Sequence, residues 1–160
     1  RQRQMCIRDR CTIYFRYYLN QALKVSGLGA QFLDNLQIWR DQMGLGLTTW
    51  AEMPEPSRSD CHAWGASPNI EFYRILLGID SDAPGFRKIR IAPSLGKLKE
   101  VSGTIPHPLG SVTAAYKLDE RGEGTARLVL PEGTTGIFIW DGKESPLKPG
   151  EQVISLSLRH

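Results

Sequence analysis

Apolar residues recur along this chain at two different periods. From Cys11 to Val25 the residues Ile13, Tyr14, Tyr17, Tyr18, Ala22 and Val25 return every three or four positions, which predicts an amphipathic helix. Ser26-Gly27-Leu28-Gly29 ends it, glycine being the usual C-terminal stop. A second helix is predicted from about Ala30 to Met43, with Phe32, Leu33, Leu36 and Trp39 on one face and Asp34, Gln37, Arg40 and Asp41 on the other. Gly44-Leu45-Gly46 closes that helix. A third runs over Ser67 to Leu77, with Ser67 as N-cap, Pro68 in the first turn and Gly78 as the stop. Its apolar residues, Ile70, Phe72, Tyr73, Ile75, Leu76 and Leu77, cover more than one face, so it needs neighbours on both sides. Three such helices cannot close a core by themselves, and the pattern predicts the end of a larger all-helical body.

Past Gly78 the period becomes two. Ile89 and Ile91, Val101, Val112 with Ala114 and Tyr116, Leu128 and Leu130, Ile137 and Ile139, and Val153 with Leu156 and Leu158 mark short strands. Turn residues separate them at 93–96, 106–110, 119–122, 131–133, 141–142 and 149–150. The prediction is an antiparallel β-sandwich over about residues 85–158, with Trp140 in its core and His107 in a turn as a surface or locally hydrogen-bonded residue.

Charge changes the picture at one place. The first ten residues hold four Arg and one Asp and resemble the translated read-through of a sequencing adapter, so residues 1–10 are set aside as an artefact tail. The net charge of +3 lies wholly in that tail, which removes the argument for a nucleic-acid partner. No apolar run reaches the roughly 18–20 residues of a membrane span. The chain begins with Arg1 rather than Met, so the natural N-terminus is expected to be missing and the compartment stays open. Three cysteines with no regular spacing predict neither a disulfide framework nor a zinc site, and no cofactor is expected.

The chemistry concentrates between the second and third helices, in Leu47 to Gly65. There Glu52, Arg58 and His62 stand among Trp50, Trp64 and two prolines. One reading is a proline-stiffened connector. The other is a sugar site, because an exposed indole is a poor choice for a connector while its flat face packs well on the C–H face of a sugar ring. Arg58 could bind a sugar hydroxyl or pair with Asp60, and Glu55 is read as solvated loop.

Thr48-Thr49-Trp50-Ala51-Glu52, followed by Ser57-Arg58-Ser59-Asp60-Cys61-His62-Ala63-Trp64, resembles the C-terminal part of bacterial α-L-rhamnosidases of glycoside hydrolase family 78. The likeness continues through the third helix into Ile89-Arg90-Ile91-Ala92-Pro93 and Gly103-Thr104-Ile105-Pro106. It implies an α+β fragment in which residues 11–80 are the last helices of an (α/α)6 six-hairpin barrel and residues 81–160 a C-terminal antiparallel β-sandwich. It implies inverting hydrolysis of terminal α-L-rhamnosides, with Glu52 as general base and His62 as a histidine that contacts the rhamnose; Trp50, Trp64 and Arg58 join them as substrate-binding candidates from the reading of the loop itself. The spacer between Glu52 and His62 is short and proline-bearing compared with many relatives. An inverting enzyme needs a second carboxyl group about 6.5–9.5 Å from the base, and no other carboxylate here has a claim to that place. The implied partners are a rhamnose-containing glycoside and the rest of the same barrel. The alternative is a carbohydrate-binding or purely structural sandwich attached to a helical segment.

Removing residues 1–10 is expected to leave the thermal midpoint unchanged within error in a calorimetric scan; a loss of several degrees would show that real structure had been cut away.

Overall fold

A computed structural model describes residues 11–157, so residues 1–10, expected above to be an artefact tail, and Leu158 lie outside the described residues. The described chain forms two compact units whose boundary along the sequence falls between Glu71 and Phe72.

In the first unit, α1 (Ile13–Val25) starts at Thr12, whose extended backbone lets its hydroxyl accept from the Phe15 amide at 3.2 Å. It stops at Gly27, φ +75°, with Leu28 N donating to Leu23 O at 2.8 Å and Gly27 N to Lys24 O at 3.2 Å, the paired bonds of a Schellman cap. The buried face differs from the expected stripe. Ile13, Asn20 and Leu23 are buried, while Tyr14, Tyr18 and Val25 are exposed at 45%, 48% and 89%. The inward line thus runs through positions 13, 20 and 23, and the aromatic line lies beside it.

The predicted second helix is broken. Residues Gly29–Gln31 and Leu33–Leu36 form 3-10 turns, and a regular helix, α2 (Gln37–Gly44), begins only after Leu36 leaves helical geometry at φ −79°, ψ 2°. Phe32, Leu36 and Trp39 are buried across both pieces, and Asp34, Gln37, Arg40 and Asp41 face water. Gly46, φ +80°, ends α2 with another Schellman pair, Leu47 N to Gln42 O and Gly46 N to Met43 O. The third helix shrinks to α3 (Pro68–Glu71). Ser67 does not cap it: its backbone is already helical at φ −53°, ψ −31°, and its buried hydroxyl has no partner.

The second unit opens with a π-helical turn, Phe72–Leu76, in which Leu77 N reaches back five residues to Phe72 O at 3.0 Å. Eight strands follow: β1 (Ile79–Ser81), β2 (Lys88–Ile91), β3 (Glu100–His107), β4 (Gly110–Leu118), β5 (Gly124–Leu130), β6 (Thr135–Trp140), β7 (Lys143–Leu147) and β8 (Gly150–Leu156). They build two four-stranded sheets, ordered β1-β2-β6-β7 and β3-β4-β5-β8. One departure from the antiparallel expectation is the parallel pairing of β2 with β6. Alternation supplies the core: Ile89 and Ile91, Val112, Ala114 and Tyr116, and Ala126, Leu128 and Leu130 all point inward and are essentially dry.

In β6 Phe138 is buried rather than the flanking Ile137 and Ile139, and in β8 Leu156 is buried as expected but Val153 is 65% exposed while Ile154 packs on the core. Trp140 sits at the core margin, partly buried, with its indole N–H on Ser157 O at 3.0 Å. His107 is buried rather than on a surface turn. Its Nδ1 accepts from Leu109 N at 3.1 Å, so its Nε2 carries the proton donated to Phe86 O at 2.8 Å. Tyr116 donates its buried hydroxyl to Leu77 O at 2.7 Å, and burial pushes that phenol well above the ordinary tyrosine range.

Gly78 fixes where the first strand can begin. Its φ is +72°, and a Cβ there would lie 2.2 Å from the Ala92 carbonyl carbon. Gly78→Ala is therefore expected to cost about 2–4 kcal/mol, positive-φ strain and overpacking acting together. Urea unfolding of the sandwich would measure it, and a cost under about 1 kcal/mol would contradict the packing described.

Candidate active site

The loop after α2 is a hairpin. Its stem is closed by His62 N donating to Trp50 O and Glu52 N donating to Ser59 O, both at 2.8 Å. The Thr49 hydroxyl adds a bond to Asp60 O, and near the tip the Ser57 hydroxyl donates to Ser59 O at 2.9 Å. Two buried side chains of α2 fix the stem on that helix. Gln42 accepts the Ala51 amide through Oε1 at 3.0 Å, and Trp39 donates its indole N–H to Gly65 O at 2.7 Å. Gly65 is required here, since a Cβ would stand 2.5 Å from Trp50 Cβ. The backbone at 50 and at 65 is thus pressed together, which holds Trp50, Glu52, His62 and Trp64 on one short frame.

Toward the tip, Arg58 grips Glu52 with two nitrogens: Nε donates to Oε2 at 3.1 Å and Nη2 to Oε1. The Glu52 side chain is 11% exposed and that of Arg58 73% exposed. Of the two alternatives for Arg58, the pairing with Asp60 is not what forms: its partner is Glu52. With the arginine in water, the pair contributes only about 0.2–1 kcal/mol to stability; its consequence is geometric. Glu55 is exposed and accepts only from the Ser57 amide at 3.2 Å.

At the base of the stem, the His62 and Trp64 rings lie 4.1 Å apart, tilted by 47°. His62 Nδ1 is buried without a hydrogen-bond partner, and Trp64 remains 41% exposed. Trp64 in turn meets Tyr14 edge-on at 5.4 Å, and the Tyr14 and Tyr18 hydroxyls are 3.3 Å apart. The aromatic surface therefore continues from the hairpin onto α1. That extension was readable only as part of a helix stripe, because nothing in the sequence links position 14 to 64.

A cleft of about 380 Å³ opens between Arg16, Asp41, Gln42 and Leu45 and the tip residues Met53 and Glu55. Neither Glu52 nor His62 lines it. Among the described residues, no group of three or more His, Cys, Asp or Glu is placed to hold a metal ion.

Residues 78–154 match the family model of the bacterial alpha-L-rhamnosidase C-terminal domain. No curated protein matches the chain. Among solved structures, the alpha-L-rhamnosidase from Aspergillus terreus superposes with a TM-score of 0.75 at 20% identity, over 87% of this chain and 18% of that one. The alpha-L-rhamnosidase from Dictyoglumus thermophilum gives 0.63 at 18% identity, over 72% and 17%. That from Streptomyces avermitilis, complexed with L-rhamnose, gives 0.58 at 19%, over 75% and 14%. At these identities the likeness is one of fold. The chain spans less than a fifth of the length of each of these structures.

Gly65→Ala is expected to force Trp50 off the stem and to destabilise the first unit by about 1–3 kcal/mol, the usual cost of overpacking. Tryptophan emission together with urea unfolding would register both effects, whereas unchanged spectra would mean that the close approach of 50 and 65 is dispensable.

Proposed function

We propose that the chain is the C-terminal part of an enzyme that removes terminal α-L-rhamnose from glycosides with inversion, a reading supported by the match of residues 78–154 to the family model of the bacterial alpha-L-rhamnosidase C-terminal domain. Residues 11–80 are then the last helices of an (α/α)6 barrel and residues 81–160 a structural cap. The observation that carries this reading is the uneven finish of the two units. Both ends of the buried Asn20 and Asn35 amides, Gln42 Nε2, His62 Nδ1 and Ser67 Oγ lack hydrogen-bond partners, while among the described residues from 72 onward no buried side-chain polar atom does. Buried polar atoms are rarely left so, and here they coincide with exposed Tyr14, Phe15, Tyr18, Met43, Leu45 and Ile70. A helical unit with unpaired polar groups inside and apolar groups outside is one that further helices complete.

In this reading Glu52 is the general base. Its carboxylate takes a proton from a water as that water's oxygen attacks the anomeric carbon, and a carboxylic acid from the missing part of the barrel protonates the departing glycosidic oxygen. His62 offers its unpartnered ring nitrogen to a sugar hydroxyl, and Trp50 and Trp64 offer aromatic faces to the ring. The partner the first unit requires is the remainder of its own barrel, and the ligand a rhamnose-containing oligosaccharide or glycoside.

This chain alone should not turn over an aryl α-L-rhamnoside, since it holds the base without the acid. In the full-length parent, Glu52→Gln is expected to lower kcat on the order of 10² to 10⁴-fold with binding largely kept. His62→Ala should mainly raise KM. Turnover by the isolated chain, or full kcat with Gln at position 52, would refute the assignment.

A further inference from the structure

We propose that Arg58 is a positioning residue for Glu52, fixing the plane of its carboxylate; this deepens the functional reading above and rests on it. A glutamate's terminal torsion is broad, so an unrestrained carboxylate presents its oxygens over a wide arc. The water an inverting base must activate occupies one place relative to the sugar, and a misplacement of about 1 Å can cost on the order of 10² in rate.

In this hairpin the torsion is not free. Nε and Nη2 of Arg58 engage Oε2 and Oε1 separately, and two bonds from one planar fork define the plane they meet. A carboxylate has about four lone-pair sites, so these two bonds leave it able to accept a proton from water.

The backbone makes the pairing possible. The Glu52 N to Ser59 O bond sets position 58 beside position 52, and Met53 to Ser57, with two prolines, forms the tip between them. Arg58 has no other bonding partner among the described residues and is 73% exposed, so the carboxylate is what holds its head in place. Lysine cannot reproduce this grip, because an ammonium is a point charge without a planar fork.

The test has two arms. On the chain as it stands, carbodiimide labelling of carboxylates read by peptide mass spectrometry should rise several-fold at Glu52 in Arg58→Ala, while exposed Glu55 serves as the internal control. Equal labelling in the two proteins would overturn the pairing. In the full-length parent, Arg58→Lys should lower kcat on the order of tenfold and Arg58→Ala on the order of 10²-fold, with KM nearly constant and with ethylguanidinium restoring part of the rate to the alanine variant. A raised KM at constant kcat would overturn the proposal by making Arg58 a substrate contact, and unchanged kinetics would overturn it by leaving a surface ion pair only. If the parent cleaves no rhamnoside at all, the functional reading falls, whereas the labelling decides Arg58's hold on Glu52 without reference to turnover.

Discussion

Two backbone hydrogen bonds, Glu52 N to Ser59 O and His62 N to Trp50 O, turn sixteen residues of polar, proline-bearing chain from 47 to 62 into a hairpin with a defined register. Nearly everything in the candidate site follows from that closure. It places Arg58 within reach of Glu52, leads the chain from His62 into the turn that stacks Trp64, and leaves Trp50 against Gly65. The stem has no sheet to join. It is held by side chains that substitute for neighbouring strands: the Gln42 amide accepts the Ala51 N–H, and the Trp39 indole caps the Gly65 carbonyl. Each of these bonds is buried, so removing one partner would strand the other without water.

The two units solve the problem of buried polarity differently. The sandwich pairs what it buries, Tyr116 on Leu77 and His107 between Phe86 and Leu109. The helical unit buries the Asn20 and Asn35 amides without protein partners while its tyrosines stand in water. That contrast is the physical content behind the proposal that the first unit belongs to something larger.

Much of this was legible in the sequence, and the misses have identifiable causes. The change of period at Gly78, the glycine stops at 27 and 46, and the inward line of Val112, Ala114 and Tyr116 are local patterns and could be read locally. The face of α1 could not, because Ile13, Tyr14, Tyr17 and Tyr18 satisfy helical spacing on either of two adjacent lines, and only packing chooses between them. β1 was too short to show alternation, and β7, Lys-Glu-Ser-Pro-Leu, has one apolar residue in five. In β8 Val153 is out of step with Leu156, and alternation from Leu156 selects Ile154, which is the residue that faces in. The candidate residues stood out by type and spacing, but the pairing of Arg58 with Glu52 rather than Asp60 depends on a hairpin register that composition does not encode.

The parallel pairing of β2 with β6 has a consequence for how the sandwich is made. Between these strands lie three whole strands of the opposite sheet, and β8 in turn joins that sheet beside β5 only after β6 and β7 have been laid down. Neither sheet can be completed from sequence neighbours alone. Pairings so distant along the chain close slowly, since loop entropy is lost before the contacts are gained. A ribosome would have to release almost the entire second unit before its core could form, and until then the dry faces of β4 and β5 would stand open, which is the interval in which such a domain needs a chaperone most.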